Sequence, residues 1–264
     1  MHKLMILLLS CFSALTMHGQ ATDKVPDVVM LGDSNTQIGG DDCSKEIGWP
    51  VWFKRTFAAS SCASYARSGA TWTNTPSTKR NEEEYSEILG DDNVIYNQVC
   101  RLLTAFKKGR QPQPDIIIIG AGTNDAWFNS SRPKAYAVSV SEAFASNQQE
   151  FMSGTVDMKQ SLAESIRYSV LLLKSNFPNA MIVLTTPPET IKASAEKIRM
   201  TGDIIESCGK KLGCNVIRLD KCGVIKSRSE RRKFVFTSDG THTSKRGAKA
   251  HGEIIAKAIA QLFM

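Results

Sequence analysis

The sequence predicts an α/β fold, a three-layer α/β/α sandwich around a central, mostly parallel five-stranded sheet. Three observations carry the prediction. Short continuous apolar runs bounded by turn residues recur along the chain, and longer segments of helical period separate them. Strand and helix therefore alternate, as a parallel sheet requires. No low-complexity tract, internal repeat or Pro/Gly/Ser-rich linker divides the 264 residues, of which 42% are hydrophobic and 22% charged. A chain of this length buries a large core without needing a metal or disulfides to hold it.

The elements follow in order. Val28 to Leu31 is the first strand, and Trp49 to Phe57, with Pro50 in its first turn, the first helix. Cys62 to Ala66 is a weaker strand. A helix over Asn93 to Phe106 leads to the strand Asp115–Gly120, a helix over Val156 to Asn176 to the strand Met181–Leu184, and a helix over Ala193 to Lys211 to the strand Val216–Leu219. The last helix runs from Ser244 to Phe263. The apolar runs read as strands buried on both faces.

Residues 1–21 read as a signal peptide: Met1-His2-Lys3 is a basic start, Leu4 to Met17 an apolar region, and Gly19-Gln20-Ala21 a small-residue cleavage site. The apolar run is interrupted by Ser10 and Ser13 and falls short of the ~20 residues that cross a bilayer. The expectation is export to the periplasm, cell surface or medium, with residues 22–264 forming one domain. Leu8-Leu9-Ser10-Cys11 also resembles a lipoprotein cleavage box, and only a lipidated Cys11 would bring the protein to a membrane. Six cysteines remain, Cys43, Cys62, Cys100, Cys208, Cys214 and Cys222, an even number that admits disulfides without fixing their pairing. They form neither a C-x-x-C pair nor a Cys/His cluster, so no metal site is expected.

The chain carries a net charge of +7, with basic clusters at Lys107-Lys108-Gly109-Arg110 and at Lys226, Arg228, Arg231, Arg232 and Lys233. The second lies just upstream of Asp239. It reads either as a solvated face or as a surface that steers anionic substrates. No nucleic-acid-binding module accompanies it.

Ligands bind outside the carboxyl ends of the strands in an open parallel sheet, and the chemically suggestive residues fall there. Gly32-Asp33-Ser34 follows the first strand, Ser68-Gly69 the second, Gly122-Thr123-Asn124-Asp125 the third, and Asp239-Gly240-Thr241-His242 precedes the last helix. A serine hydroxyl is a poor nucleophile until a histidine oriented by a carboxylate removes its proton. Of four histidines, His2 and His18 lie in the leader, which leaves His242 and His251, the latter read as structural. Taken singly, Gly69 reads as a turn residue and Asn124 as a helix cap. In order with Ser34 and His242 they read as functional. Asp33 and Asp125 are expected to brace loops by hydrogen bonding.

Two other motifs fail. Gly120-Ala121-Gly122 imitates a dinucleotide fingerprint, but Asp125 stands where the third glycine belongs. The G-x-S-x-G elbow of α/β-hydrolases is broken by Thr36.

These four blocks, in this order, resemble the SGNH hydrolases of the GDSL esterase/lipase superfamily over nearly the whole mature chain. The resemblance implies a flavodoxin-like sandwich, Ser34 as nucleophile, His242 as general base and then acid, and Asp239 as the residue that orients the imidazole. It implies an oxyanion hole from the backbone N–H groups of Ser34 and Gly69 and the side-chain amide of Asn124, donors that lower such barriers by about 3 to 4 kcal/mol each. The second block departs from the family pattern, with Ser64-Tyr65-Ala66-Arg67 where an asparagine often stands. No metal or organic cofactor is implied. The segments Thr71 to Asn93 and Ala126 to Val156, with Trp72, Trp127 and Phe128, read as loops that shape a substrate pocket or as ordinary surface loops.

The functional expectation is a secreted carboxylic ester hydrolase that removes O-acetyl or other short acyl groups from carbohydrate. A lysophospholipase or broad acyl esterase is the enzymatic alternative. A non-catalytic glycan-binding protein on the same fold is the alternative of another class.

Overall fold

The computed structural model describes residues 25–263. The expected signal peptide, with Cys11, His2 and His18, lies outside the described residues. Five strands, β1 (Asp27–Gly32), β2 (Ser61–Ser64), β3 (Ile116–Gly120), β4 (Met181–Thr185) and β5 (Asn215–Ile217), form one sheet in the order β2-β1-β3-β4-β5. Every pairing is parallel, so the expected "mostly parallel" sheet is wholly so. Gly32, Gly120 and Thr185 lie side by side in register and form a level carboxyl edge.

Helices cover both faces. In chain order they are α1 (Ser34–Gln37), α2 (Trp49–Phe57), α3 (Ile95–Lys107), α4 (Thr123–Trp127), α5 (Val140–Ala143), α6 (Gln148–Ser153), α7 (Leu162–Asn176), α8 (Ala195–Leu212), α9 (Ser227–Glu230) and α10 (Lys245–Ala260). Alternate strand residues point to opposite faces. Val29, Leu31, Ile117, Ile119, Ile182 and Leu184 meet α3, α7 and α8, while Val28, Met30, Ile116, Ile118 and Val183 meet α2 and α10. Ile116 to Ile119 have no exposed surface, and burying each stabilises the fold by about 1.5–3 kcal/mol. Gly252 sets the approach of α10 to α2, since a Cβ there would stand 2.6 Å from the Trp49 carbonyl oxygen.

Several elements differ from expectation: the segment Ala126 to Val156, read as a loop, carries α5 and α6, and α10 stops at Ala260, short of Phe263. The single helix expected over Val156 to Asn176 is a 3-10 turn (Val156–Met158) followed by α7, because Ser161 and Glu164 form a capping box that starts a new helix. The last strand is a half-exposed edge that stops at Ile217 rather than Leu219. The Arg218 side chain there turns into ion pairs with Asp203, Glu206 and Asp220, and the backbone enters a 3-10 turn. The six described cysteines are free thiols, with the sulfurs of Cys43 and Cys62 facing each other at 2.6 Å.

Candidate active site

β1 ends where a side chain cannot fit: a Cβ on Gly32 would collide with the carbonyl of Gly120 on β3. Gln98 of α3 satisfies both polar groups of this glycine, accepting from its N–H and donating to its carbonyl at 2.8 Å each. The chain then turns into α1. Asp33 caps that helix by accepting the Asn35 N–H, and Ser34 is its first residue, buried beneath the carboxyl edge. The first N–H groups of a helix have no partner within it. Among the described residues, none accepts from the Ser34 N–H.

The opposing half comes from the segment before α10. Glu230, itself buried, accepts from the N–H groups of Val235, Phe236 and Thr237 and from the Thr237 hydroxyl. Burial would raise its carboxyl, but the Thr237 hydroxyl and these N–H groups outweigh it and hold it below the usual range. Beyond it the chain loops through Gly240 at φ +88°, closed by a bridge between Thr237 and Thr243. Asp239 Oδ1 accepts the N–H groups of Thr241 (2.9 Å) and His242 (2.7 Å), while its Oδ2 stands 2.7 Å from His242 Nδ1. His242 Nε2 is 2.9 Å from Ser34 Oγ. With Nδ1–H donating to Asp239, Nε2 is left to accept from the serine hydroxyl. Burial pushes the Asp239 carboxyl up, yet the hydrogen bonds from His242 and Thr241 hold it below the ordinary carboxylate range. It is charged at neutral pH.

The remaining blocks close the other side. Asn124, in the first turn of α4, donates through Nδ2 to the Ala70 carbonyl at 2.8 Å and ties the third block to the second. Gly69 has φ +78°, and a Cβ there would meet the Ile88 backbone at 2.7 Å, so glycine is required twice over. Gln37 of α1 accepts the Ser68 N–H, and Asn93 donates to the Ser68 carbonyl. No described residue accepts from the Gly69 N–H. All four blocks thus meet at one edge of the sheet.

A family model for GDSL-like lipases/acylhydrolases matches residues 28–255. The chain belongs to the GDSL-like lipase/acylhydrolase family. It is accordingly a carboxylic ester hydrolase. This acylhydrolase shares its fold with a "possible lipase" from Chitinophaga pinensis (TM-score 0.58, 14% identity, covering 90% of this chain and 98% of the other). It is also similar to the acetyl xylan esterase AlAXEase (TM-score 0.54, 16% identity, 88% and 99% covered). A lipase/acylhydrolase from Enterococcus faecalis aligns at TM-score 0.50 with 17% identity, over 89% and 96% of the two chains. A search of curated proteins finds no match by sequence.

Around the acylhydrolase's site, other polar residues fix the loops. Asp125, fully buried, accepts from the N–H groups of Trp72 and Thr73 and from the Thr73 hydroxyl. Burial raises its carboxyl in spite of those bonds, and burial likewise pushes Asp33 up to about 6. Asn35 Oδ1 accepts the Thr243 N–H, while Thr190 and Ile191, in the loop after β4, hold Gly240 and Thr241. None of Asn35, Gln98, Asn93 or Thr190 carried a sequence signal, because each acts across a long gap in the chain. Glu230 had one: it is the acidic residue amid Arg228, Arg231 and Arg232.

Trp72 is a core residue with no exposed surface, packed in the same apolar cluster as Val29 and Ile119. Trp127 and Phe128 are half-buried and stacked on each other. His251 lies buried on α10, behind the nucleophile loop and away from the Ser34–His242 contact.

Proposed function

We propose that this enzyme removes short acyl groups, O-acetyl above all, from carbohydrate through an acyl-enzyme on Ser34. The carrying observation is the unbroken chain from Asp239 Oδ2 through His242 to Ser34 Oγ, with contacts of 2.7 and 2.9 Å. Ser34 Oγ attacks the ester carbonyl as His242 Nε2 takes its proton. The charged Asp239 keeps Nδ1 protonated and stabilises the imidazolium. The oxyanion is received by the N–H groups of Ser34 and Gly69 and the amide of Asn124. His242 then protonates the departing alcohol, and a water molecule activated by the same nitrogen releases the acid.

The shape of the site favours a small acyl group on a large alcohol. Asp239 is half-exposed and His242 one-third exposed, so the alcohol side is open to a polymer. Two spacious cavities of the molecule, one lined by Tyr136, Val138 and Met200 and the other by Phe57, Met181 and Phe263, do not include Ser34 or His242 and offer no channel for a long acyl chain. A third recess, lined by Asp33, Thr123, Thr185, Leu219 and His251, lies behind the nucleophile turn and likewise includes neither Ser34 nor His242. The similarity in fold to an acetyl xylan esterase points the same way. The basic, apolar and small-residue order of residues 1–21 supports action outside the cytoplasm.

Hydrolysis of p-nitrophenyl acetate, butyrate and octanoate, followed by acetate release from acetylated glycans, tests the reading. Acetate should be the preferred acyl group, and Ser34→Ala should be inactive. A preference for octanoate would make the enzyme lipase-like. Absence of turnover on every ester would leave a glycan-binding protein.

A further inference from the structure

Outside the reacting groups, one cluster at the same edge has no part in the chemistry described so far. Trp127 ends α4 three residues after Asn124, so the two side chains share a face of that helical turn. Phe128 stacks on Trp127 with ring centroids 4.6 Å apart and planes within 12°. Lys192 Nζ also stands over the partly exposed indole, 5.6 Å from the ring centroid. This is near the outer limit of a cation–π contact, so the ammonium hovers over the ring without filling it.

Lys192 reaches this place from the loop after β4. Its N–H donates to Thr190 Oγ1, the hydroxyl that also contacts Thr241, and the preceding Ile191 N–H donates to the Gly240 carbonyl. Trp127 therefore belongs to the element that carries Asn124, and Lys192 to the loop that holds the Asp239–His242 turn. Lys192 is exposed and has no carboxylate partner within ion-pairing distance among the described residues. Arg231 donates to the carbonyl of Ile191 at 2.8 Å, which anchors the lysine's loop and adds charge, with Arg232 and Lys233 exposed beside it.

A flat, half-exposed indole accepts the C–H face of a pyranose, and a free ammonium above that face selects a sugar carrying a negative charge. We propose that Trp127 and Lys192 form a subsite for a uronate residue, so that the preferred substrate is an O-acylated acidic polysaccharide. The subsite rests on the ester-hydrolase reading for turnover, but its binding role is separable. The ring stacks on Trp127, the carboxylate draws Lys192 off the indole, and the field of Arg231 to Lys233 raises the local concentration of polyanion.

Acetylated polygalacturonate, a uronate-free acetylated xylan, p-nitrophenyl acetate and a feruloyl ester, assayed with wild type, Lys192→Glu and Trp127→Ala, test the assignment. Wild type should favour the acidic polymer by at least tenfold in kcat/KM, and that preference should shrink as salt rises. Lys192→Glu should lose tenfold or more on the acidic polymer, chiefly through KM. Trp127→Ala should lose on both polymers. Both variants should keep p-nitrophenyl acetate turnover within about twofold. Equal turnover of the two polymers, unchanged by Lys192→Glu, would overturn the subsite, as would a feruloyl preference abolished by Trp127→Ala, which would make the indole an acyl-side platform. Binding of deacetylated polygalacturonate to Ser34→Ala, weakened when Lys192→Glu is added, would uphold the subsite even if no ester were hydrolysed. Failure of that binding in an enzyme that hydrolyses p-nitrophenyl acetate would remove the subsite and leave the esterase.

Discussion

The side chain next to the nucleophile holds the backbone next to the base: Asn35 Oδ1 accepts the N–H of Thr243 at 3.1 Å, across 208 residues of sequence. Thr243 also donates its hydroxyl to the Ile47 carbonyl, so the base loop is pinned to the segment between α1 and α2 at two points. The Ser34–His242 distance is thus set by a neighbouring, chemically inert bond.

Replacing Asn35 by Ala removes the acceptor and leaves the Thr243 N–H buried without a partner. Small misplacements of reacting groups are costly, so kcat on p-nitrophenyl acetate should fall by about 10- to 100-fold with KM little changed. Asn35→Asp, which keeps an acceptor, should recover part of the loss. Steady-state kinetics on the three proteins provide the check.

The two described histidines separate cleanly. His242→Ala and Asp239→Asn should each lower kcat by on the order of 10³–10⁴, through loss of the base and of its correct tautomer. His251→Gln should keep kcat within about threefold, because acid–base catalysis needs a group within hydrogen-bond reach of the proton it moves. Equal losses from His242→Ala and His251→Gln would refute the assignment.

Burial at the nucleophile loop gives two opposing pH dependences. Burial drives the His251 pKa down to about 4 from 6.5, so as pH falls through this window the unfolded chain takes its proton first and stability drops. Burial drives Asp33 up to about 6 from 3.8, so as pH rises through that window the unfolded chain loses its proton first and stability again drops. Each effect is on the order of 3 kcal/mol when complete, and between pH 4 and 6 they offset one another. Relative to wild type, His251→Gln should lose stability as pH rises from 4 to 6, and Asp33→Asn should gain it. Urea denaturation at intervals of half a pH unit measures both differences.

Glu230 gathers four donors on one buried carboxylate. Glu230→Gln turns an amide toward donors that need acceptors, which should cost about 2–4 kcal/mol of stability. It should also lower kcat, since the segment it organises leads directly to Asp239. Thermal unfolding and p-nitrophenyl acetate kinetics, run on the same preparation, test whether the two losses appear together.

Apolar runs such as Ile116 to Ile119, short, β-branched and bounded by turn residues, made the sheet legible, because a strand covered on both faces keeps four consecutive isoleucines out of water. Pro50 marked the start of α2, and the Asp-x-x-His spacing marked the base loop. Less visible were elements whose cause is a side chain bonding elsewhere. The capping box of Ser161 and Glu164 was readable in sequence but lay inside a helical period that masks it. Arg218 ends β5 through ion pairs with residues of α8 and the following turn, which no local pattern announces. Ser34 and Asn124 were legible as positions after strands, but not as residues in the first turns of the short helices α1 and α4. Trp72, read as a loop aromatic, is core because Asp125 draws its backbone inward.

The close seat of α10 on α2 at Gly252 has a consequence for synthesis. Ser34 and His242 are 208 residues apart, and at about 5–20 residues per second a ribosome needs on the order of 10–40 s to make the stretch between them. During that time the nucleophile turn exists without its base. Until α10 locks against Trp49 and Phe53, a nascent chain carries only half of an esterase. The catalytic pair is therefore complete only once the last helix is in place, after the rest of the sheet and its helices have been made.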